Sequence, residues 1–201
     1  MFKFRQLILF AMFCQLTQFA LAAQSIEVQD LNGKVVTDAV VYAEALDGKM
    51  NLKPMQAEIE QKAKRFLPLV SVIPVGTAVS FPNHDTVRHH AYSFSSAKPF
   101  EIKLYSGVPA SPIIFDKPGT VVIGCNIHDQ MVAYIQVVAT PYFAKTDQSG
   151  KAILPAVPAG QYKLKVWHYQ QKGGANAAAY EQDWRPEQAA TTKIRLPYSL
   201  D

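Results

Sequence analysis

The feature that most constrains this chain is its period of two. Ile26 and Val28 share a face before a turn at Asn32-Gly33, and Ala39-Val40-Val41-Tyr42 follows. Val70 and Val72 share a face, Pro74-Val75-Gly76 turns the chain, and Val79 and Phe81 share the next. Phe100, Ile102 and Leu104 alternate with Glu101, Lys103 and Tyr105; beyond Lys117-Pro118-Gly119, the residues Val121, Ile123 and Cys125 point one way. After Pro141 comes a second set: a turn at Asp147-Gln148-Ser149-Gly150, then Ile153-Leu154, then Tyr162, Leu164 and Val166 on one face. Side chains alternate across a strand but recur every 3.6 residues on a helix, so these segments are strands. No sustained helical stripe exists, although Met55 to Lys64 has room for a helical turn. Gln170 to Thr192, with Gly173-Gly174 and Ala177-Ala178-Ala179, reads as a mobile loop before a last strand at Lys193 to Leu196. The fold class is all-β, a sandwich, with one faint echo between Asp30-x-x-Gly33 and Asp147-x-x-Gly150.

The N-terminus belongs to export. Lys3 and Arg5 form a basic start, Leu7 to Phe19 an apolar stretch, and Ala20-Leu21-Ala22 a small-residue cleavage pattern. A secretory signal peptide cut after Ala22 is expected, and with it a periplasmic location. A membrane span needs about 20 apolar residues, and Gln15, Thr17 and Gln18 interrupt this stretch, so no stable membrane insertion is expected. Bulky Phe13 before Cys14 argues against a lipid anchor there. Removing 22 of 201 residues leaves 179, enough for one large domain or two small ones. The 20 Lys+Arg fall to 18 against 16 Asp+Glu, and no basic run interleaved with aromatics remains. Nucleic acid is therefore excluded as a partner class. Cleavage also removes Cys14 and leaves Cys125 alone, so no intrachain disulfide is available. Cys125 is then a buried inert thiol, half of an intermolecular disulfide, or a ligand.

One constellation carries chemistry. Cys125-Asn126-Ile127-His128-Asp129-Gln130-Met131 places a thiol, an imidazole and a thioether in seven residues, on a loop between two strands. Upstream, Asn83-His84-Asp85-Thr86-Val87-Arg88-His89-His90 offers a second imidazole. One thiolate with two His and a weak axial Met is the ligand set of a blue-copper electron-transfer site. Structural zinc wants four Cys/His ligands and haem attachment wants C-x-x-C-H; neither spacing is present. Cys125 as a nucleophile with His128 as its base leaves Met131 and His89 without a role. Without a metal, Met131 would be core filler. His84 reads as a solvated loop residue and His168, after Trp167, as a capping or packing residue.

Residues 55–139 resemble the cupredoxin family, its amicyanin branch in particular. The resemblance rests on Val72-x-x-x-Gly76-Thr77-x-Val79-x-Phe81-x-Asn83, on Phe115-x-x-x-Gly119-Thr120, and on the Cys125-x2-His128-x2-Met131 loop. Residues 144–199 are similar to the small transthyretin-like sandwich of carboxypeptidase regulatory domains, through Thr146-Asp147-x-x-Gly150 and Val157-Pro158-Ala159-Gly160-x-Tyr162-x-Leu164-x-Val166-Trp167-His168. The whole chain resembles secreted proteins labelled methylamine utilisation protein. This implies one type 1 copper ion, bound by His89, Cys125, His128 and Met131, and an electron carrier rather than an enzyme. It also implies transient protein redox partners. Asn83 is expected to tie the two ligand loops together. Counting from Asn83 places the upstream ligand at His89, whereas counting back from Phe94 places it at His90. The first count is adopted, since the turn from Asn83 to Arg88 sets where the ligand enters, and Phe94 lies along a strand with room for a bulge. His90 would then bond across to the Cys loop. The ring edge of His128 is expected at the surface within an apolar rim of Ile127, Val132 and Ala133. Three positions depart from the amicyanin pattern: Arg88 where a Pro is usual, His90 where an Asn is, and Ile127 where a Pro is. Reduction potential and partner therefore do not carry over. Rival readings are a copper carrier or chaperone, which usually displays several Met or His, and a non-redox interaction protein. Residues 24–45 either open the second sandwich, so that the cupredoxin part is inserted into it, or add a strand pair to the cupredoxin part.

Overall fold

The computed structural model describes residues 23–48 and 50–200; the expected signal peptide, residues 1–22, lies outside them. Among the described residues the chain is all β. Its one helical element is a 3-10 turn at Pro186–Gln188, and no helix is long and apolar enough to cross a membrane. Two strands come first, β1 (Gln24–Gln29) and β2 (Val40–Ala45). Then come β3 (Gln56–Glu58), β4 (Glu60–Gln61), β5 (Phe66–Leu67), β6 (Val70–Pro74) and β7 (Thr77–Ser80). They are followed by β8 (His89–Ser93), β9 (Phe100–Tyr105), β10 (Ile113–Phe115), β11 (Gly119–Gly124) and β12 (Val132–Val138). The last five are β13 (Phe143–Lys145), β14 (Lys151–Leu154), β15 (Tyr162–Trp167), β16 (Tyr180–Trp184) and β17 (Thr191–Arg195).

Burial on both faces explains the least alternating strands. β2 reads Val-Val-Tyr-Ala without a polar break: Val41 and Ala43 face one apolar layer, Val40 and Tyr42 another. β12 does the same, with Ala133, Ile135 and Val137 on one side and Tyr134 and Val138 on the other. The four larger sheets thus stack with three apolar layers between them. Sheets β10-β7-β3 and β6-β12-β11-β8-β9 enclose a layer that contains Phe81, Phe115, Ile123 and Ile135. Sheets β13-β2-β15-β16 and β14-β1-β17 enclose a layer of Ile26, Val41, Leu164 and Trp184. Between these two sandwiches Trp167, Tyr42, Val70 and Val138 pack together. The polar groups at this seam are paired. Gln136 accepts from Thr120 Oγ1 at 2.8 Å and bonds the Tyr42 hydroxyl, whose pKa burial raises. Lys145 pairs with Asp38 at 2.7 Å and donates to the Val70 carbonyl at 3.1 Å.

The chain leaves one sandwich and returns to it. β1 pairs with β14 and β17, and β2 with β13 and β15, while β3 to β12 lie between them in sequence. The two Asp-x-x-Gly echoes are the same turn built twice. Asp30 Oδ1 accepts the N–H groups of Asn32 and Lys34, and Asp147 Oδ1 those of Ser149 and Lys151. Gly150 closes the second with φ +74, and a Cβ there would meet the Val28 carbonyl oxygen at 2.8 Å, so only glycine fits.

Three sequence expectations are corrected. Met55 to Lys64 forms no helical turn: Ile59 and Gln61 alternate inward, and the segment is β3 and β4. Gln170 to Thr192 is not wholly loop, because β16 pairs with β15 and buries Trp184, whose Nε1–H donates to Thr192 Oγ1 at 2.9 Å. Leu104, which the alternation with Phe100 and Ile102 places inward, is 51% exposed and faces solvent, while Tyr105 turns inward. The cause is a bulge, since His89 pairs with Tyr105 but Ala91 with Ile102, which places the extra residue on β9.

Candidate metal centre

The Cys125 loop is short because β11 and β12 are paired up to Gly124 and Val132, its two ends. Within it the Met131 N–H donates to the His128 carbonyl at 2.9 Å, closing a tight turn. Alternation along β11 points Cys125 into the core layer with Val121 and Ile123, and its free thiol is 4% exposed. Met131 is buried in the same layer. His128 is half-buried, yet its Nδ1 is buried and has no hydrogen-bond partner. Its exposed edge is therefore the other side of the ring.

The second imidazole comes from β8. His89 is 0% exposed and faces inward with Ala91, so alternation turns His90 to the opposite face. His89 Nδ1 lies 4.0 Å from Cys125 Sγ, and its ring stands 5.0 Å from that of His128 in an edge-on arrangement. The other ring nitrogen, Nε2, is 2.7 Å from Asp85 Oδ2. Asp85 also accepts the N–H groups of Ala63 at 2.7 Å and Lys64 at 2.9 Å. Burial pushes its carboxyl up, but the bonds from Lys64, His89 and Ala63 outweigh that and hold it below its ordinary value.

Three donor atoms thus converge: His89, Cys125 and His128 place their ligand atoms within 4.8 Å of one another. Metal–nitrogen and metal–sulfur bonds are about 2.0–2.3 Å, so small side-chain adjustments let one ion touch all three. The unpartnered His128 Nδ1 fits that use, because a buried polar atom without a partner is costly.

The supporting residues differ from expectation. Asn83 does not reach the Cys125 loop; it donates through Nδ2 to the Val87 and Tyr105 carbonyls, both at 2.9 Å, and accepts the Asp85 N–H at 3.0 Å. It braces the upstream loop against the end of β9. His90 bonds Glu101 on β9 at 3.0 Å rather than the Cys loop, since β9 is the strand beside it. Ala133 is fully buried and takes no part in a rim, whereas Ile127 is 48% exposed. His84 is exposed, 3.8 Å from Glu60. His168 is buried, accepts the Gln170 N–H at 3.2 Å, and packs on Tyr169; burial lowers its pKa. Two residues were missed: Asp85, and Tyr105, which donates to the Phe81 carbonyl at 2.6 Å and bonds Gln61. Burial pushes the Tyr105 phenol up to about 12, opposed by the Gln61 bond and aided by the Cys125 sulfur. The Asp-x-x-x-His spacing was the signal for Asp85; only the bulge in β9 reveals Tyr105.

No protein-family model matches the chain, and no curated protein matches it. Among solved structures it is similar to a purple cupredoxin from Nitrosopumilus maritimus, at 26% identity over 41% of this chain and 99% of that one, with a TM-score of 0.36. A second is amicyanin from Paracoccus versutus, at 16% identity over 41% of this chain and 80% of that one, TM-score 0.34. A third is a copper-containing nitrite reductase from Thermus scotoductus, at 28% identity over 55% of this chain and 28% of that one, TM-score 0.39.

Proposed function

We propose that this chain is a periplasmic one-electron carrier that holds a single copper ion through His89, Cys125 and His128, with Met131 as a weak axial ligand. The observation that carries this reading is the convergence within 4.8 Å of three donor atoms, one from β8 and two from the loop that joins β11 to β12. When bound, copper would supply a one-electron couple, since thiolate favours Cu(I) and imidazole suits either oxidation state. The residues do the rest. β8, β11 and β12 are hydrogen-bonded in one sheet, so they hold the donors in place whatever the charge between them. The exposed edge of His128, beside Ile127, offers an outlet to a protein partner, and such redox encounters are small and transient. Met55 is exposed but Met131 is buried, which is a poor display for a copper carrier or chaperone.

The unit of residues 55–139 sits, in this reading, as an insertion within a second sandwich of residues 24–45 and 144–199. The pairing of β1 and β2 with β13 to β17 supports that division.

A second reading draws on a specific observation: Cys125, His89 and Asp85 form a chain with the connectivity of a thiol–imidazole–carboxylate triad. A groove lined by Tyr92, Phe94, Met131 and Asn176 has Cys125 in its wall. Against it stands His128, whose buried Nδ1 such a triad leaves unpaired. Titration of the purified protein with Cu(II), followed in the visible and then by redox cycling, tests the proposal. One equivalent should give an intense band that bleaches reversibly on reduction. A colourless protein whose Cys125 is rapidly alkylated would favour the triad instead.

A further inference from the structure

We propose that Asp85 is the positioning residue of this centre: its carboxylate decides which ring nitrogen of His89 carries the proton, and ties that ring to a reverse turn at Lys62–Arg65. The inference takes its functional meaning from the copper reading above, but its geometry stands on the fold.

Both Asp85 oxygens already accept backbone donors, Oδ1 from Ala63 and Oδ2 from Lys64. A carboxylate so engaged is an acceptor toward the ring as well, so His89 Nε2 carries the hydrogen at 2.7 Å and Nδ1 is left with its lone pair. Nδ1 is the nitrogen that faces Cys125 Sγ. With the His89 side chain 0% exposed, solvent cannot hold the ring in this orientation, and Asp85, at 15%, is nearly closed off too.

The turn at the other end of the carboxylate needs it equally. Lys62 and Arg65 exchange both backbone hydrogen bonds, at 3.0 and 3.1 Å, with Ala63 at φ 53 and Lys64 at φ 55. Two consecutive left-handed residues are the pattern that favours Asn and Gly, and neither is present here. The two bonds to Asp85 hold the turn in place of glycine. Asp85 is itself aimed by its own N–H, which donates to Asn83 Oδ1 at 3.0 Å. Turn, carboxylate and ring form one chain of contacts into the site. A carboxylate on the far nitrogen of a metal-binding imidazole fixes its tautomer and raises its basicity, and losing it costs about 10–100-fold in metal affinity.

The test uses the full chain in three forms: wild type, Ala63→Gly with Lys64→Gly, and that pair with Asp85→Ala. Glycine adopts the left-handed conformation freely, so the paired variant keeps the turn without the carboxylate and isolates its effect on the ring. Nitrogen-15 NMR of the metal-free protein reads the His89 tautomer, and Cu(II) titration reads the affinity. We expect the Nε2–H form alone in the first two proteins and a mixed ring in the third, with copper bound at least tenfold more weakly. An Nδ1–H ring in the wild type, or an affinity within twofold after Asp85→Ala, overturns the proposal. An Nε2–H ring that becomes mixed on Asp85→Ala, in a wild type that takes up no copper, supports the hold of Asp85 on His89 and removes the copper reading alone.

Discussion

The two loops that meet at the candidate centre are built on different principles. The Cys125–Met131 loop brings three of the four proposed ligands in seven residues, and a single backbone bond between Met131 and His128 closes it across paired strands. The Asn83–His89 loop brings one ligand and is held by side chains: Asn83 against β9, and Asp85 against a turn more than twenty residues earlier. One loop is made by its neighbours in sequence, the other by distant partners. Changes in the first should therefore alter the chemistry of the site, and changes in the second its assembly.

Cys125→Ser should have the largest effect, with complete loss of the intense visible band in copper-loaded protein, because the thiolate is its only source. A band that survives would place another sulfur at the metal. His89→Gly comes next. It empties a fully buried position and should destabilise the fold, by analogy with large-to-small core changes of about 2–5 kcal/mol, as read by denaturant melts. Exogenous imidazole should restore colour poorly there and well in His128→Gly, whose site is half open; equal rescue would break the contrast between the loops. Asn83→Ala leaves buried partners unpaired at about 1–3 kcal/mol each, so it should lower stability and weaken copper uptake while the band keeps its position. Met131→Gln should keep the band but lower the reduction potential, since an axial ligand tunes the metal more than it holds it. An unmoved potential would leave Met131 as core packing. His90→Asn should do least, because His90 bonds Glu101 on the far face of β8; if this variant bleaches the protein, the ligand assignment is reversed.

The same contrast explains what could be read without coordinates. That Cys125 and His128 come together was legible because their spacing is local and the strands around them alternate cleanly. Choosing His89 over His90 needed the turn from Asn83 to be the fixed reference, and β8 does turn the two rings to opposite faces. The roles given to Asn83 and His90 were misplaced, because both depend on β9, whose register a bulge shifts by one residue. No alternation pattern announces a bulge: Leu104 looked inward-facing and Tyr105 outward. Asp85 was signalled only by its spacing to His89, because its other partners, Ala63 and Lys64, lie more than twenty residues earlier in a segment with room for a helical turn. Trp184 was lost within an alanine-rich stretch, although Tyr180, Gln182 and Trp184 do alternate.

The central claim is that one copper ion is held by one sulfur and two imidazole nitrogens on a scaffold that does not rearrange. X-ray absorption at the copper edge, on the oxidised and the reduced protein, tests it most directly. The account predicts one short sulfur neighbour and two nitrogens in both states, with bond lengths that change little between them. A shell of nitrogen and oxygen alone, or a ligand set that changes on reduction, would contradict it.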